Sequence, residues 1–524
     1  MEAAELKPLV LGLLEQVAGL KELVREQSEE IARLKGLKGK PDIKPEAKKK
    51  PSGMENGTDP TDANPKEPDK RKRSKKNFRI PVQDRIVKAH DVPAGSRNLG
   101  YEDFMVEDII LHAIAIRYRR ERWLTPDGRT VIAALPMGVT DHVGAELKRF
   151  ILMLYHQGQT TVPRLVALLD SMGLDVSERK IVRILTEEVE RFKAEAQAVL
   201  RAAFQKAASW ISVDDTGARH KGKNGICTQI GNHLFTFFAT PHSKSRINFL
   251  SLLRAGHTDY VLNDAAFEYM KDHNMPSWVS DKLQEHHPRI FANEAAWLAH
   301  LEEIGLTKIR VHPNPVQIAT EGALWGSILS HGFLKDSVIL SDDAGQFNVG
   351  DAHALCWVHA ERLVYKLKFF TDAGRAAQEK VRREIWDFYR ALKAYKTKPA
   401  EEDKKRLAKR FDQIFDQKTG ICAIDKLLNR LRRNKPELLR ALERPDIPLH
   451  TNGSENDIRC QVTRRKISGT TRSDKGRDSR DAFLSLAKTC MKLDISFWDY
   501  LGDRLGILPH GSVPQLAALI AAHP

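Results

Sequence analysis

The chain has 524 residues and a mass of 59.3 kDa, which is too long for one hydrophobic core, so we expect several domains. Its 84 Lys and Arg residues outnumber 69 Asp and Glu residues, giving a formal charge of +15 and a pI near 9.4. This excess indicates a polyanionic partner, with nucleic acid the leading candidate. The sequence argues against a membrane partner, because no apolar run approaches the roughly 20 residues that span a bilayer.

The N-terminus and the cysteines indicate a compartment. Residues 1–5 are acidic where a signal peptide would be basic. The cysteines are odd in number and widely spaced without a CxxC pair, which argues against a disulfide framework and a zinc ribbon; they are Cys227, Cys356, Cys422, Cys460 and Cys490. We therefore expect reduced thiols in a cytoplasmic, DNA-associated protein.

Residues 1–36 carry a heptad pattern. Its a positions are Val10, Val17, Val24 and Ile31, and its d positions are Leu13, Leu20, Gln27 and Leu34. β-Branched residues at a with Leu at d favour a parallel two-stranded coiled coil, so we expect a homo-oligomer, a dimer or higher. The alternative is a single amphipathic helix that packs on its own protein.

Two segments without a core pattern follow. Residues 37–80 are rich in Lys, Pro, Asp and Gly, with basic runs at 48–50 and 70–76, and predict a disordered basic linker. This linker either contacts phosphates without sequence preference or is merely solvated. In residues 81–138, apolar runs flank the turn sequence Pro126-Asp127-Gly128, which predicts a small module with a β-hairpin.

Residues 139–207 predict a helical domain. Helices are expected at 145–155 and 162–172, followed by a turn at 173–176 and a third helix capped by Ser177. This spacing is typical of a helix-turn-helix DNA-binding domain, and an ordinary αα-hairpin is the alternative.

From residue 208 the pattern changes to that of a mixed α/β domain, so the fold class is multidomain α/β. Short apolar runs at 211–213, 226–230 and 235–239 predict an antiparallel meander. A buried strand is expected at 337–341 and a helix at 353–370. Charged helical sequence at 375–446 predicts an insertion, and 501–524 is expected to be a C-terminal tail.

Three acidic positions carry the chemistry that the sequence indicates. Apolar runs lead into Asp214-Asp215 and Asp342-Asp343, and Glu455 lies far downstream at a helix start. Phosphoryl transfer on DNA uses divalent cations about 4 Å apart, and carboxylates are their natural ligands. Each position has a structural alternative. Asp214-Asp215 would close a strand-turn, Asp342-Asp343 would form an Asx-turn, and Glu455 would form a capping box with Asn452.

Four segments, at 212–220, 339–347, 356–367 and 451–489, resemble the insertion sequence 66 transposases. These are DDE transposases with a ribonuclease-H-like core. The resemblance spans roughly 140–500. It implies a catalytic domain at 208–374 and 447–500 in which Asp214, Asp342 and Glu455 hold two Mg²⁺ ions, with Mn²⁺ able to substitute. The implied activity is DNA cleavage at element ends and transfer of the 3′-ends into target DNA.

The same resemblance carries further residues. A Cys-Trp-x-His-x-x-Arg helix follows the second aspartate in the family, matched by Cys356, Trp357, His359 and Arg362, and Asn452 and Arg459 flank the third acid with slightly shifted spacing. We expect His359 to be structural or to position DNA, although a metal-ligand role is open, and Trp357 to belong to the core rather than to stack on bases.

Within each acidic pair only one side chain can face the site, because neighbouring side chains of a strand point in opposite directions. We expect the first of each pair, Asp214 and Asp342, to be the metal ligand, because Val213 and Ser341 precede them in the order that resembles the family. Asp215 and Asp343 stay as alternatives.

A dense basic segment follows the third acid and predicts phosphate contacts with strong salt dependence. The expected DNA-binding residues are Arg459, Arg464, Arg465, Lys466, Arg472, Lys475 and Arg477.

One departure from the family concerns zinc. Members commonly carry a Cys-rich module before the catalytic domain, but residues 98–136 contain no cysteine, so the hairpin is expected to be held by packing alone. The element ends and target DNA are the implied partners, and accessory proteins are suggested by the resemblance only. A domesticated DNA-binding protein without activity, or a nuclease without strand transfer, are the alternatives.

Overall fold

The computed structural model describes residues 83–523 apart from 89, 91–92, 94–95, 98–100, 103, 137–138, 140, 207–209 and 351. The chain divides into two units, Met1–Pro65 and Lys66–Pro524, and only the second contains described residues. The coiled coil and the basic linker predicted before residue 81 therefore lie outside the described residues. No helix in the described part of the chain is long and apolar enough to cross a membrane.

The predicted hairpin is present. Strands β1 (Arg122–Leu124) and β2 (Thr130–Ile132) pair antiparallel, and Gly128 adopts the left-handed conformation that the turn requires, with φ 82°. All six strand residues are exposed. The expectation that packing holds this hairpin is therefore wrong for the described residues, where backbone pairing and the turn define it.

A helical region precedes the main sheet, as predicted. Its helices are α1 (Ala145–His156), α2 (Val162–Ser171), α3 (Glu178–Thr186) and α4 (Val189–Gln205). Ser177 caps α3 as expected, its Oγ accepting a hydrogen bond from Lys180 N at 3.3 Å.

The strands and helices that follow build a mixed α/β unit. In chain order they are β3 (Trp210–His220), β4 (Lys223–Gly231), β5 (Thr236–Ala239), α5 (Arg246–Leu253), β6 (Tyr260–Val261), α6 (Asp264–Asp272), α7 (Ser277–Glu285), β7 (Ile290–Phe291), α8 (Glu294–Glu303), a 3₁₀ turn (Leu306–Lys308), α9 (Pro315–Ser330), β8 (Val338–Ser341), β9 (His353–Leu355) and α10 (Trp357–Tyr365).

Five of these strands form one sheet in the order β5-β4-β3-β8-β9. The β5-β4-β3 part is the predicted antiparallel meander, whereas β8 and β9 run parallel to β3. The helix predicted at 353–370 is shorter than expected and begins at Trp357. Residues 353–355 form a buried strand instead, because the open side of β8 offers backbone partners to them.

The predicted helical insertion follows α10 and consists of α11 (Asp372–Thr397), α12 (Glu401–Phe415), α13 (Cys422–Arg433), α14 (Lys435–Leu438) and α15 (Arg440–Glu443). It has its own apolar core around Trp357, Phe388, Phe411 and Phe415, which joins it to β8 and β9. The chain then returns to the sheet through α16 (Asn452–Ser468), α17 (Asp474–Lys492), α18 (Phe497–Arg504) and α19 (Leu516–Ala522).

Helix α17 covers the edge of the sheet. Its Ser485 Oγ accepts a hydrogen bond from Phe238 N at 2.8 Å, and its Thr489 Oγ1 accepts one from Thr236 N at 3.2 Å. The exposed edge that β5 would otherwise present is therefore satisfied by side chains.

The segment expected to be only a C-terminal tail is a packed part of the fold. Arg504 of α18 pairs with Glu195 of α4 at 2.9 Å, and Leu516 and Ile520 of α19 are buried. Apolar positions four residues apart give α19 one buried face.

His156 joins the helical region to α17, because its ring stacks on Phe483 with centroids 4.2 Å apart. Burial, with the nearby charge of Arg464, holds the pKa of His156 well below its usual value. The unfolded chain therefore takes up a proton near pH 6.5 that the folded protein does not, so this group lowers stability as the pH falls below about 6.5.

Replacing His156 by Phe should flatten this dependence. Between about pH 7.5 and about pH 5.5 the wild type should lose roughly 1 kcal/mol more free energy of unfolding than His156→Phe, measured by urea denaturation. His142→Phe, at an exposed position, is the matched control and should keep the wild-type dependence. An unchanged dependence in His156→Phe would contradict the assignment.

Candidate active site

Adjacent parallel strands align the first two predicted acids. In the β3–β8 ladder Trp210 pairs with Val338 and Ser212 with Leu340. This ladder ends two residues before Asp214 and Asp342, so both acids follow the paired segment, and the charge of Asp342 acts on the Asp214 carboxylate.

Buried hydrogen bonds bring the third acid to this edge of the sheet. Cys356 N donates to Ser341 O at 2.9 Å, and Thr451 N donates to Cys356 Sγ at 3.4 Å. Ser454 Oγ donates to Ser212 Oγ. Each of the three serines lies one or two residues before one of the predicted acids, so this network fixes the backbones that carry them.

The charges of the three predicted acids act on one another. Burial, with the neighbouring charges of Asp342 and Glu455, raises the pKa of Asp214 to about 6. Glu455 Oε1 is buried and has no hydrogen-bond partner among the described residues, although His359 Nε2 lies 3.5 Å and Arg362 Nη1 3.7 Å from it. The site is thus a partly buried cluster of acceptor oxygens.

The second acid of each pair accepts side-chain hydrogen bonds from other parts of the protein. Asp215 accepts hydrogen bonds from Thr228 Oγ1 at 2.6 Å and Gln346 Nε2 at 2.8 Å. Asp343, with φ 73°, accepts one from Arg430 Nη2 at 2.6 Å in the helical insertion. Sequence reasoning missed these partners, and no local signal could have found them, since Arg430 lies 87 residues from Asp343.

The residues of the Cys-Trp-x-His-x-x-Arg segment separate into two groups. Trp357 is buried in the insertion core, and its Nε1 donates to Leu438 O at 2.9 Å. His359 lies beside the Glu455 carboxylate, and Cys356 contacts His359 and the backbone N of Thr451. Although burial opposes both shifts, the contact between these two side chains lowers the pKa of Cys356 and raises that of His359.

Asn452 does not form the capping box considered from the sequence. Helix α16 begins at Asn452 with Thr451 as its N-cap residue, and the Thr451 side chain makes no capping hydrogen bond within the described part of the chain. Glu455 is therefore one position too far along the helix to be the N3 partner, which leaves its carboxylate oriented toward the cluster.

The predicted basic surface is only partly exposed. Lys466, Arg472, Lys475 and Arg459 are exposed on α16, α17 and the loop between them. Arg465 donates to Gly217 O, and Arg477 pairs with Asp478 at 2.8 Å.

The structure does not place Arg464 on this surface, contrary to the expectation. Its side chain is 4% exposed, its Nη1 donates to Tyr155 O at 3.2 Å and Thr160 O at 3.3 Å, and its guanidinium lies 3.8 Å from the Tyr155 ring centroid. The residue joins α16 to the helical region, because the α1–α2 turn presents carbonyls that require a donor.

These features define a mixed α/β protein with one acid on a central strand of the sheet and a second directly after the parallel neighbouring strand. Residues 329–479 match the family model described as Transposase IS66 family. The chain is also 52% identical over 316 residues to the uncharacterized protein y4jO of Sinorhizobium fredii (strain NBRC 101917 / NGR234), a match that covers 60% of this chain and 97% of that protein. The chain belongs to the IS66 transposase family.

Metal titration should distinguish the members of each acidic pair. We expect Asp214→Asn and Asp342→Asn to weaken Mn²⁺ binding at least about tenfold in isothermal titration calorimetry, because each removes a charged oxygen from the cluster. Asp215→Asn and Asp343→Asn are the matched controls and should change the affinity by less than about threefold. The reverse order within either pair would assign the ligand to the second aspartate.

Proposed function

We propose that this protein is a transposase that cleaves DNA at the ends of a mobile element and joins the 3′-ends to target DNA. The observation that supports the proposal is that Asp342 and Glu455, from two distant segments, act by their charges on the partly buried Asp214. Carboxylates that repel one another persist in such clusters at sites of metal-dependent phosphoryl transfer.

The sheet topology supports a ribonuclease-H-like catalytic domain. Three antiparallel strands, β5-β4-β3, continue into two strands parallel to β3. The first acid lies on the central strand and the second directly follows its parallel neighbour. The third reaches the site on a helix that comes after the insertion.

The donor set fits hard divalent cations such as Mg²⁺ or Mn²⁺. Three carboxylates supply oxygen ligands, and the buried Glu455 Oε1 has no hydrogen-bond partner in the described part of the chain. We assign Asp214, Asp342 and Glu455 as the ligands of two ions. Such ions would lower the pKa of an attacking water or 3′-hydroxyl and neutralise charge on the leaving oxygen.

The remaining residues of the site would position these groups. His359 and Arg362 lie beside the Glu455 carboxylate; Arg362 attracts it by charge, and His359 does so when its imidazole is protonated. The exposed side chains Lys466, Arg472 and Lys475 would hold the phosphate backbone next to the cluster. We also propose that the chain acts as a dimer or higher oligomer through residues 1–36, that residues 145–186 contribute to DNA binding, and that accessory proteins participate.

Neutralising the acids tests the activity. Asp214→Asn, Asp342→Asn and Glu455→Gln should each reduce Mg²⁺-dependent nicking of DNA carrying the element ends by more than about 1000-fold, because each removes a metal ligand. DNA affinity at constant salt should stay near the wild-type value. Glu268→Gln, at an exposed position, is the control and should nick normally.

The same assay separates the alternatives. Nicking without joined products would identify a nuclease, and binding of element ends without any nicking by the wild type would identify a domesticated DNA-binding protein. Full activity in any one of the three variants would remove that acid from the site.

The basic surface generates a separate expectation. Lys466→Gln and Lys475→Gln should each weaken DNA binding and reduce the slope of log K against log salt by about 1, measured by fluorescence anisotropy. The control Lys271→Gln, exposed on α6, should keep the wild-type slope.

Arg464→Met should behave differently, because this side chain is buried. It should lower the free energy of unfolding by roughly 2 kcal/mol, since two backbone carbonyls lose a charged donor. If Arg464→Met left the free energy of unfolding unchanged and reduced the slope of log K against log salt, Arg464 would be a DNA-binding residue.

A further inference from the structure

Two imidazoles and one carboxylate converge at a second place, outside the acidic cluster. His257 and Asp259 lie in the loop between α5 and β6, and His331 immediately follows α9. One possible ligand atom of each residue lies within 4.8 Å of the others, and all three side chains are partly buried. This is the one such group of His, Cys, Asp or Glu found among the described residues.

The contacts within the group place the three side chains against one another. His331 Nε2 lies 3.0 Å from Asp259 Oδ1 and 3.2 Å from Oδ2. The rings of His257 and His331 are stacked, with centroids 3.6 Å apart and planes inclined by 20°. Both imidazoles therefore lie beside the same carboxylate.

Surrounding residues hold the group in place. Ser327 Oγ donates to Asp259 Oδ2 at 3.1 Å, and Arg254 Nη1 donates to Asp259 O at 2.8 Å. Arg201 of α4 donates to Ala255 O at 3.1 Å. In protein metal sites, a metal-binding side chain is oriented by hydrogen bonds to that side chain and to the backbone of the same residue.

The loop conformation is also specific. Ala255 and Gly256 both have positive φ, of 50° and 92°. A Cβ at residue 256 would lie 2.9 Å from Gln197 Oε1, so glycine permits the close approach of this loop to α4. The turn thereby directs His257 and Asp259 toward the end of α9.

We propose that His257, Asp259 and His331 bind one divalent transition-metal ion of the Zn²⁺ class. Imidazole nitrogens favour Zn²⁺ over Mg²⁺, whereas the all-carboxylate cluster favours the hard cations. The side chains of His331 and Asp259 are 28% and 22% exposed, so water can complete the coordination. Two histidines and a carboxylate leave such a position open.

The ion would join the α5–β6 loop to the end of α9. His331 precedes β8 and Asp342 follows it, so the strand separates this site from the acidic cluster. The ion is therefore a structural link in the helical segment that precedes β8, and its binding is independent of the acids that we propose for catalysis.

Metal content and a cobalt spectrum test the site. After the full-length protein is stripped with a chelator, Zn²⁺ is added with Mg²⁺ in large excess, and bound zinc is measured by mass spectrometry. The wild type and Asp342→Asn should retain about one Zn²⁺ per chain, whereas His257→Gln and His331→Gln should retain less than about a fifth of that. His510→Gln, which removes an exposed imidazole, is the matched control and should retain the ion.

Co²⁺ added in place of Zn²⁺ should give visible d–d absorption in the wild type. Added Zn²⁺ should abolish this absorption, and both histidine variants should lack it. Should these variants fail to fold, as judged by circular dichroism, the wild type decides alone. A Zn²⁺-dependent rise in its melting temperature together with the cobalt spectrum supports the site. Absence of both, or zinc retained by both folded histidine variants, overturns it and leaves an ordinary histidine–aspartate hydrogen bond.

Discussion

Burial of neighbouring carboxylates is the constraint on which the candidate active site depends. Each carboxylate would be better solvated in water, and burial, with the added charges of Asp342 and Glu455, raises the pKa of Asp214 to about 6. The buried serine and cysteine hydrogen bonds at Ser212, Ser341, Cys356 and Ser454 hold the three backbones together. Because these bonds are buried, water does not compete for them, and the apolar sheet supplies the burial that keeps the acids close.

The helical insertion contributes to the same geometry from outside the sheet. Its core encloses Trp357, so the start of α10, and with it Cys356 and His359, is fixed by packing. Arg430 of the insertion binds Asp343 at the loop that carries Asp342. The helical insertion looks separable in sequence. It nevertheless positions both the loop that carries Asp342 and the start of the helix that carries His359 and Arg362 beside Glu455.

We propose two kinds of metal site, and their donor atoms explain the difference between them. Carboxylate oxygens at the sheet edge suit hard cations that exchange water, as the proposed phosphoryl transfer requires. Imidazoles at His257 and His331 suit a softer ion that links a loop to a helix end. Because β8 lies between the two sites, the proposed zinc ion would stabilise the segment that precedes β8. It would not take part in the DNA cleavage that we propose for the acidic site.

The sequence by itself determined the meander, the insertion, the strand ahead of Asp342 and the two acids that follow apolar runs, because these depend on local periodicity and residue type. It also carried the family resemblance. Tertiary structure alone decided the partners of Asp215 and Asp343, the burial of Arg464, the strand at 353–355 and the packing of α18 and α19. Each of these depends on contacts between residues that are distant in sequence. The free energy of such contacts cannot be predicted from a local sequence pattern.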